Sequence, residues 1–310
     1  MFSMLLYLLA SFITLWIGTG ISISSIERLS KKIHISSFIA SFFILGLVTS
    51  LSEISVALFS TINETPGISV GNLLGASTIV TLLVIPIQVM CSKGIVVNTK
   101  SDYINFPTAY LVASLPVMLI LDGNLSLYDA LLMVIAYTYL LFTVSNKETI
   151  MNNLEQSISH KPLSILKEIL KLLLGSVITI ISSKIIVSNM ILLAEQLNVS
   201  PFIIGLLALS IGTSIPEITI LIRSYMHKSR NIALGDYLGS ATLNTLILGL
   251  LVFANGGSIK ITQGTKYNLL VLPLGAGLFL LFSRDKKFER KEALVLVLLY
   301  IVFVILEFIL

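Results

Sequence analysis

The stretch LVTSLSEISV, residues 47–56, lies over IGTSIPEITI, residues 211–220, when the chain is slid along itself by 164 residues. At the same offset GISVGNLLGASTIVTLL (67–83) lies over NIALGDYLGSATLNTLI (231–247). Thr49, Ser50, Glu53, Gly71, Gly75, Thr78 and Thr81 thus recur as Thr213, Ser214, Glu217, Gly235, Gly239, Thr242 and Thr245. Shared leucines would mean little in so apolar a chain. Matched glutamates, glycines and Thr-Ser pairs at one offset mean an internal repeat.

Working outward, both glutamates sit inside long apolar runs. The 310 residues are 55% hydrophobic and 12% charged, against about 25% charged in a soluble domain, so the chain is read as living in lipid. Runs long enough to cross about 30 Å of hydrocarbon fall near 4–24, 36–62, 68–91, 104–121, 126–144, 164–194, 201–225, 231–254, 267–283 and 292–310. The first has neither a basic leader nor a small-residue cleavage site, and is read as a retained helix. The expected fold is therefore an all-α membrane protein of ten transmembrane helices. With the N-terminus outside, seventeen of the 20 Lys and Arg residues face one side. Lys260 and Lys266 face the other, and Lys184 lies within a span. The positive-inside rule then places both termini outside, and the basic balance is topology rather than a nucleic-acid surface. The hydrophilic stretch 147–162 reads as a cytoplasmic linker between five-helix repeats at 1–146 and 163–310. Five spans per half, an odd number, make the second repeat enter the membrane from the opposite side. Inverted repeats of this kind mark secondary transporters, whose sites lie near the midplane where helices break.

An intramembrane carboxylate costs about 3 kcal/mol on insertion scales. Helical residues four apart share a face, so Thr49 with Glu53, and Thr213 with Glu217, present paired oxygens toward one point. Pro216 cannot donate a hydrogen bond and releases the carbonyl of Gly212. Carboxylates, hydroxyls and freed carbonyls are the hard ligands that Ca2+ and Na+ favour. The GxxxG spacings at 71/75 and 235/239 allow close helix approach, packing spans three and eight against spans two and seven. Taken singly, each feature has a plain structural reading: a proline kink, a packing motif, a protonated glutamate bonded to Ser or Thr. Recurrence as a set points instead to a cation site.

The G-T-S-x-P-E and G-[ND]-x-x-G-[SA] motifs, with ten spans and an outside N-terminus, resemble the cation/Ca2+ exchanger superfamily, most closely its short prokaryotic Na+/Ca2+ exchangers. The resemblance covers nearly the whole chain. It implies that Glu53 and Glu217 bridge a central cation. Flanking ions would be held by Thr49, Ser50, Thr213, Ser214, Ser240 and Asn244, with backbone carbonyls near Gly46 and Ser210. The chain also departs from that pattern. Val80 replaces a polar side chain, Asn244 stands where Asp is frequent, Ala76 replaces the hydroxyl matched by Ser240, and Ser52 replaces the first-half proline. The first-half flanking site is therefore expected to be weak.

The implied activity is antiport of Ca2+ against Na+, with the first and sixth spans sliding against the core. Desolvation favours a neutral carboxyl group, so H+ in place of Na+ is the alternative; other monovalent or divalent cations and a passive channel also remain open. No nucleophile–base pair or His-rich site suggests an enzyme. Cys91, the one cysteine, excludes an intrachain disulfide. No cofactor is expected beyond the transported Ca2+ and Na+; the partners are these ions and the lipid bilayer. The location is a multi-pass prokaryotic cell membrane. Asp236 is expected to attract entering cations or to pair with Arg223 or Arg230. Lys184 either snorkels to the interface or replaces an ion at the site.

Overall fold

The computed structural model describes residues 2–33, 42, 46–91, 95–96, 102–148, 165–227, 230–261, 269–282 and 287–309. The greater part of the expected linker, with His34 and His160, lies outside them. Helix dominates. Among the described residues, five helices are long and apolar enough to cross a membrane: Pro66–Cys91, Leu127–Val144, Ile165–Leu197, Pro201–Ile222 and Leu234–Ala254. Leu6–Ser22, Leu51–Ile62, Pro107–Asp122 and Val271–Phe282 are shorter apolar helices. Leu51–Ile62 begins at a break in its own span, since Ser50 leaves helical geometry at φ −79°, ψ 5°. Asp102–Leu119 carries Pro107 and Pro116 inside it, each of which removes a backbone donor.

Two helices form the centre. Every residue from Ile68 to Ile79 is buried, and so is Leu234–Thr245. Their glycines explain why they pack so closely, and the pairing is crosswise between halves. A methyl group at Gly71 would run into the carbonyl of Phe202, and one at Gly75 into that of Leu206. One at Gly239 would run into the carbonyl of Phe42 and one at Gly46 would come within 3.1 Å of Gly239. Residue 42 plus the 164-residue offset is residue 206, so both crossings use equivalent backbone positions. Spans three and eight therefore pack as the GxxxG spacing predicts, each against the broken span of the opposite half.

Two short antiparallel ribbons tie the halves at the surface. Ile95 pairs with Phe288 in one. Leu125 pairs with Ile259, and Asn124 with Lys260, in the other. The offset carries Ile95 to Ile259 and Asn124 to Phe288, so each ribbon is built from the counterparts of the other. Beside the first, Tyr110 stacks on Phe279 with centroids 4.1 Å apart.

At the periphery Phe2–Ile33 and Ile165–Leu197 lie against each other. They cross where a Cβ on Gly18 would come within 2.9 Å of the Gly175 carbonyl. Thr14 and Ser182 share a hydrogen bond of 2.9 Å, and Arg28 pairs with Glu168 at 3.3 Å near one end. Their outer faces are apolar and exposed, as lipid requires. Lys184 lies on that exposed face, between the inward-facing Ser183 and Ile186. It does not point at the core, so the reading of Lys184 as a replacement for an ion is not supported.

The glycine crossings give the first prediction. Gly71→Ala and Gly239→Ala are each expected to lose about 1–3 kcal/mol through overpacking. Gly277→Ala has open space around the new methyl group and is expected to be neutral. Thermal midpoints of the three variants in detergent check this; equal midpoints would refute the close packing.

Candidate cation site

Both repeat motifs sit at helix breaks. Gly46–Thr49 and Leu51–Ile62 are separated by Ser50, as Ser210–Thr213 and Ile215–His227 are by Ser214 at φ −84°, ψ 5°. Ser50 and Ser214 both fall in the sparsely populated bridge region. The first break forms without a proline, so Pro216 is not its general cause. The carbonyls of Gly46 and Ser210, which the resemblance names as ion ligands, accept hydrogen bonds within their own turns. Gly46 accepts from the amide of Ser50 at 3.1 Å, and Ser210 from the amide of Ser214 at 3.0 Å. Each also faces its motif threonine, Thr49 at 3.1 Å and Thr213 at 3.4 Å. An ion at either carbonyl would take the lone pair that faces the threonine hydroxyl, whose proton can go to Asp236 or Asn72 instead.

All eight side-chain candidates, Thr49, Ser50, Glu53, Thr213, Ser214, Glu217, Ser240 and Asn244, are buried. Threonines lock the halves together with matched bonds. Thr213 donates to Asn72 at 2.9 Å, and Thr49 donates to Asp236 at 3.2 Å; residues 72 and 236 are again counterparts. Asp236 is thus wholly buried at the motif and held by Thr49, while the side chains of Arg223 and Arg230, its expected partners, lie outside the described residues.

Around the glutamates the symmetry fails. Ser50 donates to Ser240 at 3.3 Å, and Ser240 donates to Glu217 Oε1 at 2.7 Å. The mirrored chain would run Ser214, residue 76, Glu53, but residue 76 is alanine. Ser214 Oγ accordingly has no hydrogen-bond partner among the described residues. Glu53 Oε2 is bonded instead by Ser52, at 2.8 Å. Asn244 donates to Ser77 Oγ at 3.2 Å, and Ser77 in turn donates to the Ala241 carbonyl. Because the Ser77 proton is used on that carbonyl, it must accept from the amide nitrogen, which leaves Asn244 Oδ1 as the free end.

Of the eight candidates, four therefore carry a buried oxygen without a hydrogen-bond partner among the described residues: Glu53 Oε1, Glu217 Oε2, Ser214 Oγ and Asn244 Oδ1. The two carboxylates are near enough to interact electrostatically. Unpartnered buried polar atoms are expensive, and a cation among them is the ligand that would satisfy acceptors of this kind. Three contributors were not among the candidates read from the sequence. Ser77 carries no signal beyond being polar within a span, whereas Asn72 is the polar position of the G-[ND]-x-x-G motif and the counterpart of Asp236. Ser52 carries a signal too, since it stands where the repeat has proline.

Comparison with known proteins bears on what this arrangement serves. The sequence pattern of the family described as sodium/calcium exchanger protein matches residues 3–146 and again 167–309. The membrane protein MJ0091 of Methanocaldococcus jannaschii is 24% identical over 296 residues, covering 96% of this chain and 95% of its own length. The sodium/calcium exchanger MaX1 of Methanosarcina acetivorans is 22% identical, with 98% of both chains covered. Inner membrane protein YrbG of Escherichia coli is 26% identical over 79% of this chain and 78% of its own. Among solved structures, the sodium-calcium exchanger NCX_Mj soaked with 10 mM Na+ and 10 mM Sr2+ shares the fold at a TM-score of 0.68. It is 23% identical, with 97% of each chain covered.

Proposed function

The chain belongs to the sodium/calcium exchanger protein family, and on that premise we propose that it is a secondary antiporter exchanging Ca2+ for Na+ at one site built on Glu53 and Glu217. Ten spans in two inverted five-helix repeats, with the N-terminus outside, frame that site. The equivalent helix breaks, crossings and ribbons at the 164-residue offset support this frame, as does the match of the family pattern to two segments that part near the expected linker. The observation that carries the function is the set of four unpartnered buried oxygens on Glu53, Glu217, Ser214 and Asn244.

The chemistry follows from charge. Two carboxylates facing one another in apolar surroundings repel unless positive charge lies between them. Their combined charge neutralises one Ca2+ or two Na+, so the two cargoes exclude each other. An occupied, neutral centre can be enclosed, whereas an empty and charged one resists enclosure by lipid-facing helices. Coupling arises from that difference. Phe2–Ile33 and Ile165–Leu197, clasped to each other, are the pair that slides across the core to open either side. The ring of Phe12 lies against Gly212 at the second motif, where such sliding would uncover the site. Proton exchange is the second reading, favoured by the loss of oxygen ligands at Ala76 and Val80.

Radiocalcium uptake into proteoliposomes loaded with Na+ and diluted into Na+-free buffer tests the proposal. Uptake is expected to follow the Na+ gradient and to fall more than about tenfold in Glu217→Gln, the loss of over 1.4 kcal/mol of ion binding. Uptake that ignores Na+ and follows a pH gradient makes the protein a proton exchanger. Flux without any counter-ion makes it a channel. In the same assay Ala76→Ser with Val80→Asn, which supplies the missing first-half oxygens, is expected to steepen the Hill slope for Na+. An unchanged slope would show that those positions hold no ion in any variant.

A further inference from the structure

We infer that Ser52 is a positioning residue for ion binding: its hydroxyl holds Glu53 Oε2 and so turns Oε1 toward the ion, taking over in the first half what Ser240 does in the second. The inference rests on the exchange site proposed above, and extends it to a residue outside that site's ligand set.

Each glutamate carries one bonded and one unpartnered oxygen. Glu217 has Oε1 bonded by Ser240 and Oε2 free; Glu53 has Oε2 bonded by Ser52 and Oε1 free. The outcome is matched although the donors come from unrelated places. Ser240 reaches Glu217 from the facing central helix. At the equivalent place Ala76 has no hydroxyl, so Glu53 lacks the donor that holds Glu217. Ser52 is wholly buried and stands where the second repeat has Pro216. Its Oγ lies 2.8 Å from Glu53 Oε2, 3.1 Å from the Thr49 carbonyl and 3.5 Å from the Thr213 carbonyl. It therefore contacts the broken turn of its own half and that of the other. One proton serves one strong bond, and the shortest of the three, to a carboxylate, is the strongest. With that bond made, Ser52 is spent as a donor. It fixes a ligand without being one.

A positioning role differs from a packing role in a way that can be measured. Ser52→Ala removes the donor and little volume. Equilibrium radiocalcium binding to the purified protein in detergent is expected to weaken by about tenfold, one charge-assisted hydrogen bond's worth, while the thermal midpoint without Ca2+ moves little. Ser52→Thr keeps the hydroxyl and is expected to bind as the unaltered protein does. The decisive variant is Ser52→Ala combined with Ala76→Ser, which moves the donor to the place Ser240 occupies in the other half. It is expected to recover binding to within about threefold. Unchanged binding in Ser52→Ala, or no recovery in the double variant when Ser52→Thr does bind, overturns the inference and leaves the exchange reading standing. Absence of Ca2+ binding in the unaltered protein overturns both. Should Ser52→Ala fail to fold, Ser52→Thr and the double variant carry the same comparison.

Discussion

The constraint on which the rest of the structure depends is the burial of Glu53 and Glu217 side by side at the centre of an apolar helical protein. A carboxylate in such a place needs donors, a countercharge or both. Here the donors are rationed. One hydroxyl serves each carboxylate, and the remaining oxygen of each is unpartnered among the described residues. A fully bonded pair would be a structural feature, stable and closed to ions. A pair with no donors would be free to rotate and would bind anything weakly. One bond each fixes direction and leaves capacity, which is what the proposed exchange site would require in order to bind a cation and release it.

Bringing the two carboxylates together is a matter of backbone more than side chains. Small residues at Gly46, Gly71, Gly75 and Gly239 allow each central helix to touch the carbonyls of the opposite half's broken span. Membrane helices gain little from hydrophobicity when they associate, because lipid is equally apolar, so close approach and interhelical hydrogen bonds must supply the attraction. The matched bonds from Thr213 to Asn72 and from Thr49 to Asp236 are of this second kind. They fasten each motif to the opposite half one helical turn before its glutamate. The two breaks at Ser50 and Ser214 are thereby held facing each other.

Much of this was legible in the sequence, and the reason is duplication. Glutamate, Thr-Ser and GxxxG recur at one offset, so a signal ambiguous in one copy is corroborated by the other. The crossings of the central helices on the broken spans followed from glycine spacing alone. What stayed hidden were contacts that depend on rotamer and on partners far away in the chain. Asn244 is fixed by Ser77, and nothing in either local stretch announces that pairing. The proline at 216 does not account for both breaks, because the first forms with serine in its place. The turn at Ser50 is held by bonds its neighbours make, which spacing does not reveal. Lys184 showed a different limit: in an apolar span of 33 residues, sequence alone does not say which face meets lipid.

The places where the repeat fails are more informative than those where it holds. Backbone equivalence extends through breaks, crossings and ribbons, but the unpartnered neutral ligands, Ser214 Oγ and Asn244 Oδ1, both belong to the second half. Their counterparts are Ser50, which donates to Ser240 and keeps its lone pairs, and Val80, which has no oxygen to offer. In an inverted repeat, exchanging the conformations of the halves converts one open state into the other. If the ligands were as symmetric as the backbone, the ion would be held alike from either side. With oxygens concentrated on one half, the two open states differ in how strongly they grip it, and a bound ion shifts the balance between them by that difference. On the proposed exchange reading, this lopsided chemistry on a symmetric frame would set the direction in which ion binding biases the protein, with Ser52 aligning Glu53 on the side that has the fewest ligands.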